Sequence, residues 1–400
     1  MAAAVSGSAA AAGPRRPGAP RRVLVVQPFW GRPSNRFLER HLEVLADRGA
    51  LAAAAVLYPT LRRSWRGVPV VSLSDAASTA GRGRWLARAL LRRAGVAPAA
   101  LDRRPGDGLR RVLESTPVDA VLCQYATTAA ALWEVLRESR CDLFVHLHGA
   151  DTVESMCPAG HRDRLREISG RALMICNSQQ TRRVVAGWGL ADQRMVVKPL
   201  GVEVPVQAPE RPLRDEVTVL QLGRLVGVKG PGHTIRAFER ACERGLRGRL
   251  LLVGDGPLRE ECDRLVRQSP WRHRIVRKGA VAWEEGRRLR READIATQHN
   301  CQDPATGQVE AFGVAVVEAM AEGLPVVGTR SGGVVEIVVD GVTGILVEPG
   351  DEEGQAAALL RLAADPELRA AMGAAGWQRA RDCFSVEREA RRLLEILGVE

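Results

Sequence analysis

Residues 222–230 read LGRLVGVKG and connect a β-prone apolar run to a helical pattern that begins near His233. The three glycines of this loop let its backbone approach a ligand closely. Arg224 and Lys229 place two cations in the loop, and the following helix adds its N-terminal amides. An anion-binding βα turn is one interpretation, and an ordinary turn with two solvated cations is the other.

Strands alternate with helices along most of the chain. Residues 22–26 (RVLVV) are typical of a buried strand, and residues 36–48 carry apolar positions on one helical face before Gly49 ends the helix. The alternation restarts after a proline-rich stretch, residues 203–214 (EVPVQAPERPLR). Such alternation predicts an α/β protein whose parallel sheets are built from right-handed crossovers.

The chain is longer than one hydrophobic core usually serves, so we predict two domains. The expected division is a disordered tail over residues 1–21, an α/β domain over 22–205 and a second one over 206–380. We expect a C-terminal helix over residues 381–400 to cross back to the first domain. Two such domains leave a cleft beside the carboxyl ends of their strands, where these folds bind ligands.

The formal net charge is +11, from 58 basic and 47 acidic residues. The arginines are spread along the chain and aromatic residues make up only 4%, which disfavours a nucleic-acid binder and fits a small anion such as a diphosphate. No apolar stretch approaches the roughly 20 residues that span a bilayer, so we predict a soluble, cytoplasmic protein. The eight cysteines form no CxxC pair, and we predict no metal site.

Two carboxylates flank a turn in EAFGVAVVE, residues 310–318. If a helix begins near Gly313, the free amides of Gly313 and Val314 face a ligand. Glu310 and Glu318 then point toward the same cleft, one suited to sugar hydroxyls and the other to a ribose diol. An acidic helix flank is the alternative, although the apolar neighbours of Glu318 speak against it.

Four segments follow one another in the second half: LGRL with KG, GDGP at residues 254–257, E-x-F-G-x-x-x-x-E, and SGG with DG and PGD within residues 328–351. Together they resemble the family-four retaining glycosyltransferases of GT-B fold, over about residues 22–395. The resemblance implies two Rossmann-like domains whose parallel sheets face each other across a cleft. It also implies a nucleotide-sugar donor in the second domain, retention of anomeric configuration, and no required metal or cofactor.

The resemblance implies a role for each loop of the second half. Arg224 and Lys229 would contact the diphosphate, Glu310 the hydroxyls of the donor sugar and Glu318 the ribose. The sequence departs from the family at Ala311, where glycine is usual.

The first half resembles the family less closely. In VHLHGADT, residues 145–152, the resemblance directs His148 toward the donor sugar, with His146 as a rival. A strand-end histidine that caps nearby backbone is the alternative for His148. Gly31, in the loop of residues 27–37, stands where the family has a glycine pair and is a candidate phosphate contact.

The implied reaction moves a hexose-type sugar to a hydroxyl of a small-molecule acceptor, for which we suggest an aminocyclitol of an antibiotic pathway. Glu310 and His148 would position the sugar, while Arg224 and Lys229 offset charge on the leaving diphosphate. A peripheral-membrane transferase with a lipid or glycan acceptor is the alternative, as is a nucleotide-sugar-binding protein without transferase activity. A basic helix predicted over residues 81–93 would touch a membrane or simply be solvated. The sequence does not predict the oligomeric state.

Two segments are expected to face each other across the cleft on the acceptor side, residues 298–308 from the second domain and residues 150–157 from the first. The first carries Asp303, the second carries Asp151 and Glu154, and Glu310 adds a further carboxylate. An acidic mouth of this kind would suit a cationic acceptor. The alternative is that these carboxylates pair with arginines and present no net field.

Overall fold

The computed structural model describes residues 21–30, 36–58, 60–74, 105–212 and 214–399. The predicted tail up to residue 20, the candidate Gly31 and the predicted helix over residues 81–93 lie outside these ranges.

The first sheet has eight strands in the order β3-β4-β2-β1-β5-β6-β7-β8. Parallel pairing joins β1 to β2 and β5, β2 to β4, and β5 to β6, whereas β3 and β4 are antiparallel. The strands are β1 Val23–Gln27, β2 Leu51–Val56, β3 Ser64–Trp65, β4 Val68–Ser72, β5 Ala120–Gln124, β6 Asp142–Leu147, β7 Leu173–Cys176 and β8 Met195–Val197. The helices between them are α1 Arg36–Asp47, α2 Pro105–Ser115, α3 Ala126–Ala131, α4 Trp133–Leu136, α5 His161–Ser169 and α6 Gln179–Gly187.

The central strands of this sheet are buried along their whole length. Every residue of β1, β2 and β5 is buried, because helices of βα units cover both faces of a parallel sheet. The apolar run of residues 22–26 therefore forms a strand, as predicted, one residue further along the chain.

The second sheet has six strands, all paired in parallel, in the order β11-β10-β9-β12-β13-β14. The strands are β9 Val217–Leu222, β10 Gly248–Val253, β11 Ile275–Lys278, β12 Ile295–Thr297, β13 Val326–Thr329 and β14 Gly344–Val347. The helices are α7 Pro231–Glu243, α8 Arg259–Gln268, α9 Trp283–Glu292, α10 Val314–Ala321, α11 Val334–Ile337, α12 Glu352–Ala364, α13 Pro366–Phe384 and α14 Val386–Leu397.

A hydrophobic core holds α7 and α12 against this sheet. Phe238 of α7 and Leu359 of α12 are fully buried together with Val219 of β9 and Leu252 of β10. Burying each side chain of this size contributes about 1.5–3 kcal/mol. The predicted α/β class with parallel sheets is confirmed.

The chain forms two compact units. Among the described residues, one unit contains those up to 146, those from 161 to 175 and those from 393 onward, and the other contains those from 147 to 160 and from 176 to 392. The predicted boundary near residue 205 stays a prediction, since the contacts group the segments around His148 and Ser178 with the second sheet. Within the described ranges, no helix combines the length and the apolar character that crossing a bilayer requires.

Candidate functional site

The loop after β9 is bent so that its lysine reaches the neighbouring strand. The Gly223 amide donates to the carbonyl of Val253, and a 3₁₀ turn follows at Gly227–Lys229. Gly230 has a φ of 52°, and a Cβ there would lie 2.1 Å from the carbonyl oxygen of His299. Only glycine tolerates this left-handed, crowded position. The close approach brings the lysine of this loop beside the loop that follows β12.

A lysine and a glutamate meet at this point. Lys229 Nζ lies 2.5 Å from Glu310 Oε2, and the side chains are only 13% and 14% exposed. Gln298 Oε1 accepts from Lys229 Nζ at 3.4 Å, and Asn300 Nδ2 donates to Glu310 Oε2 at 3.1 Å. A pair of this kind is weak evidence for stability, because desolvation of both charges opposes their attraction. It does place a cation and a carboxylate side by side at the carboxyl ends of β9 and β12.

The turn that carries the glutamate is fixed from two sides. The Gly333 amide donates to the Glu310 carbonyl at 2.8 Å, and a Cβ at Gly332 would lie 2.0 Å from the same oxygen. On the other side, the Ser178 hydroxyl donates to the carbonyl of Ala311. The SGG segment, which reads in the sequence mainly as architecture, therefore supports the Glu310 turn directly.

Helix α10 begins beside this turn, as predicted. Gly313 is its N-cap, with a φ of 114°, and Val314 is its first residue. The first amides of a helix have no partner within it, so those of Gly313 and Val314 are suited to an anion or a sugar oxygen.

Glu318 lies one turn further along α10 and is held by a residue that the sequence did not single out. Arg290 of α9 donates through Nη2 to Glu318 Oε2. The two side chains are 5% and 22% exposed, respectively. In the sequence, Arg290 is one of four arginines in RRLRR, and only the packing of α9 distinguishes it.

Arg224 lies in the same loop as Lys229, but the structure records no contact that joins the two. Its side chain is exposed, and no ion pair ties it to a described residue. A free cation at the rim of the loop is available to a diphosphate. Across the described ranges, no three metal-ligating side chains come together.

His148 follows β6 and lies beside the Glu310 turn. Its amide donates to Asp151 Oδ2 at 2.9 Å, and its side chain is buried. A Cβ at the next residue, Gly149, would lie 3.2 Å from the Cβ of Ala311 and 3.5 Å from Gln308 Nε2. The methyl group of Ala311, where the resemblance expects glycine, therefore fills the space under the His148 loop.

His146 lies in a different environment. It is fully buried in β6, with its ring centroid 5.3 Å from that of His41. His41 is in turn 2.9 Å from Gln124, between Nδ1 and Nε2. His146 belongs to the compact unit of the first sheet, whereas His148 belongs to the other. The histidine whose loop lies against the Glu310 turn, at Gly149 and Ala311, is thus His148.

The two segments expected on the acceptor side are in contact, because Ser155 Oγ donates to the carbonyl of Thr306 at 2.8 Å. Both belong to one compact unit, not to one unit each as expected. The prediction of an acidic mouth is wrong for one residue, Asp151. Its side chain is fully buried and accepts a hydrogen bond from the amide of His148. Asp303 Oδ1 accepts from the amides of its own turn, at Ala305 and Thr306, and the side chain of Glu154 is exposed.

A buried histidine supports the loop after β12. The Gly350 amide donates to His299 Nε2 at 2.7 Å, so Nδ1 carries the proton and donates to Gln355 Oε1, also at 2.7 Å. The ring stacks on that of His233, with centroids 4.7 Å apart. Burial lowers the pKa of His299. Three consecutive polar residues, Gln298 to Asn300, directly after a buried strand were the sequence signal for this support.

Comparison with known proteins gives the family. Residues 207–379 match the family described as glycosyl transferases group 1. The GDP-mannose-dependent alpha-(1-6)-phosphatidylinositol monomannoside mannosyltransferase of Mycolicibacterium smegmatis is 30% identical over 303 residues, 72% of this chain and 79% of that protein. The alpha-D-kanosaminyltransferase of Streptomyces kanamyceticus is 29% identical over 160 residues, 40% of each protein.

Solved structures share the fold at low sequence identity. The crystal structure of Anabaena Alr3699/HepE in complex with UDP and glucose matches with a TM-score of 0.71 and 18% identity, over 94% of this chain and 100% of that one. Sucrose-phosphate synthase from Thermosynechococcus elongatus matches with a TM-score of 0.74 and 18% identity, over 94% and 98%. The match of residues 207–379, the relative that aligns over 72% of this chain and the two parallel sheets agree. The chain belongs to the group 1 glycosyl transferases, the family-four enzymes of GT-B fold.

Proposed function

We propose that this protein transfers a hexose-type sugar from a nucleoside diphosphate to a hydroxyl of an acceptor, with retention of configuration and without a metal ion. The observation that carries the proposal is the Lys229–Glu310 pair at the carboxyl ends of β9 and β12. Parallel α/β sheets bind ligands at this edge. A cation for the diphosphate and a carboxylate for the sugar are both present within one pair.

The charges of the site suit a diphosphate leaving group. Negative charge grows on the phosphate oxygens as the glycosidic bond breaks, and pre-organised cations and amides stabilise it. Lys229 and the exposed Arg224 supply the cations, and the amides of Gly313 and Val314 supply helix N-terminal donors. Glu310, tied to its turn by Gly333, accepts hydrogen bonds from sugar hydroxyls.

No protein nucleophile is proposed. Retention then requires the acceptor hydroxyl to approach on the face that the leaving group departs from, and the departing phosphate oxygen can take its proton. His148, packed against the Glu310 turn through Gly149, would orient the sugar on that face.

The acceptor has two candidates. A small hydroxylated molecule, such as an aminocyclitol, is consistent with the likeness to alpha-D-kanosaminyltransferase. A lipid-linked acceptor is favoured by the longer matches, since the relatives from Mycolicibacterium smegmatis and Corynebacterium glutamicum are named for phosphatidylinositol monomannosides. The burial of Asp151 removes one of the carboxylates that would have favoured a cationic acceptor.

The test is an assay of nucleoside diphosphate release with GDP-mannose and UDP-glucose as donors. Each donor is combined with a soluble aminocyclitol, with a phosphatidylinositol monomannoside in detergent micelles, or with buffer alone. Acceptor-dependent release by the wild type, absent in Lys229→Ala, supports a transferase. Donor binding without release under any condition would instead show a nucleotide-sugar-binding protein. The anomeric configuration of the product, read by NMR, tests retention.

A further inference from the structure

One arginine of α9 is buried while its neighbours are not. The side chain of Arg290 is 5% exposed, against 29% for Arg287 and 51% for Arg291 on the same helix. Arg290 reaches across to α10, where its Nη2 donates to Glu318 Oε2.

The guanidinium of Arg290 is poorly satisfied for a buried charge. Its Nε and Nη1 atoms are buried and have no hydrogen-bond partner among the described residues. Burying a charge without a full set of partners is unfavourable, and exchange of a buried ion pair for apolar side chains is often neutral or stabilising. Stability alone therefore does not account for an arginine at this position.

A small cavity adjoins the same side chain. Its volume is about 20 Å³, room for about one water molecule. Arg290 lines it together with Leu222, which ends β9, and Gln298, which follows β12. Gln298 also contacts Lys229, so this cavity lies directly beside the candidate donor site.

A second ion pair on the same two helices shows what a fully satisfied carboxylate looks like. Glu322, at the C-terminal end of α10, receives Arg287 Nε on Oε1 at 2.6 Å and Arg291 Nε on Oε2 at 2.9 Å. In Glu318 only Oε2 is bonded, and no hydrogen bond from the described part of the chain reaches Oε1. Arg290 thus holds Oε2 of Glu318, and Oε1 remains available to accept a hydrogen bond from a ligand.

We propose that Arg290 is a positioning residue that turns Glu318 so that its second oxygen accepts from a ribose hydroxyl of the donor nucleotide. This inference rests on the proposed function, because it requires a nucleoside diphosphate at the Lys229 loop. It assigns discrimination between ribose and deoxyribose to the pair of Arg290 and Glu318.

The test compares binding of UDP and GDP with binding of their 2′-deoxy and 3′-deoxy counterparts by calorimetry. Arg290→Met keeps similar volume and removes the donors, and Arg290→Lys keeps one cation. Arg291→Met is the matched control, since it breaks an ion pair between α9 and the end of α10 away from the cavity. The thermal unfolding midpoint of each variant shows whether it is folded.

In the wild type we expect the better of the two ribonucleotides to bind roughly tenfold or more tightly than at least one of its deoxy forms, the scale of one hydrogen bond to a charged group. Arg290→Met should bring that ratio close to one, Arg290→Lys should restore part of it, and Arg291→Met should leave it unchanged. An unchanged ratio in a folded Arg290→Met, or an equal loss of affinity for both forms, would overturn the inference. Failure of UDP and GDP to bind the wild type would overturn the proposed function first.

Discussion

Lys229 Nζ lies 2.5 Å from Glu310 Oε2, although the two residues belong to loops that follow different strands of the second sheet. Strands β9 and β12 are neighbours in that sheet, so their carboxyl ends bring the two loops together. Gln298 and Asn300, on the loop after β12, each hold one member of the pair. Opposite charges are therefore kept adjacent in a mostly buried place, where the low dielectric strengthens their attraction to each other.

Lys229→Ala should weaken the binding of GDP or UDP about tenfold or more and should slow transfer. In the proposed function the lysine would contact the phosphates of both donor and product, and a hydrogen bond to a charged group contributes about 1.5–3 kcal/mol. Isothermal titration with the free nucleoside diphosphate measures the effect. Lys278→Ala is the control, because Lys278 also pairs with a carboxylate, Glu285, but lies outside the loop. Equal affinities for the wild type and Lys229→Ala would contradict the assignment.

Glu310→Ala should lower turnover by roughly 10²–10³, the scale of one lost pre-organised contact. The folded state should survive, since within the described ranges the Glu310 side chain bonds through a single oxygen, to Lys229 and Asn300. Affinity for the bare diphosphate should be retained, unlike in the lysine variant, because the role proposed for the carboxylate is to bind the sugar. Glu353→Ala, an exposed carboxylate paired with arginines, is the control. Near-normal turnover in a folded Glu310→Ala would remove this residue from the mechanism.

Incubation with EDTA should leave activity intact. In the proposed function, Lys229, Arg224 and the amides at the start of α10 would supply the positive charge that a divalent cation would otherwise provide to the diphosphate. The measurement is initial rate before and after chelation, followed by addition of magnesium or manganese. Activity that disappears with EDTA and returns with either metal would show that these protein groups are insufficient.

Gly332→Ala should reduce both stability and turnover, and Gly341→Ala should reduce stability alone. Both glycines have positive φ, at 56° and 75°, so both substitutions cost about 1–2 kcal/mol of left-handed strain. At Gly332 the new methyl group would also meet the carbonyl of Glu310 at 2.0 Å, whereas nothing lies within 4 Å at Gly341. The unfolding midpoint of each variant measures the cost of backbone strain, which both share. A loss of turnover in Gly332→Ala alone measures displacement of the Glu310 turn. Equal turnover in both variants would mean that the close approach of Gly332 to the Glu310 carbonyl does not position the Glu310 carboxylate.

Stability should decrease as the pH falls from about 7 to 5, partly through His299. Burial lowers its pKa in the folded state, and the hydrogen bond to Gln355 opposes this only in part. Between that lowered value and the ordinary value of about 6.5, the unfolded chain binds more protons, so the free energy of unfolding rises with pH. His299→Gln should flatten the dependence of the unfolding midpoint in this window. A variant with the slope of the wild type would show that other groups cause the dependence.

The sequence predicted the loops of the second half well because each one is a local pattern. A β-prone run, a glycine-rich turn and a helical period occur within about twenty residues, and chain geometry alone orders them. The start of α10 at Val314 and the turn before it follow from this local chemistry. The family resemblance, not the local pattern, assigns Glu310 and Lys229 to one donor, with the first at the sugar and the second at the diphosphate.

The side chains that hold those residues in place were harder to predict. Arg290 and Arg291 are adjacent in a run of arginines, yet one is buried against Glu318 and the other is half exposed beside Glu322. A one-residue step on a helix turns a side chain by about 100°, and only the position of α10 decides which of the two is covered.

The acceptor side shows the limit of reading charge from sequence. Asp151 was counted as part of an acidic surface, but its carboxylate is buried and accepts from the amide of His148. In a short turn after a strand, an aspartate can be an exposed charge or can accept a hydrogen bond from a backbone amide. The sequence of the turn does not distinguish the two roles.

By itself, the sequence determined the α/β class, the two parallel sheets and the order of loops along the second one, because periodicity and turn chemistry act over neighbouring residues. Tertiary structure alone decided that Lys229 pairs with Glu310, that Arg290 holds Glu318 and that Gly332 presses on the Glu310 carbonyl. These contacts join segments that come from different strands, and their geometry depends on how strands and helices pack, which no local pattern encodes.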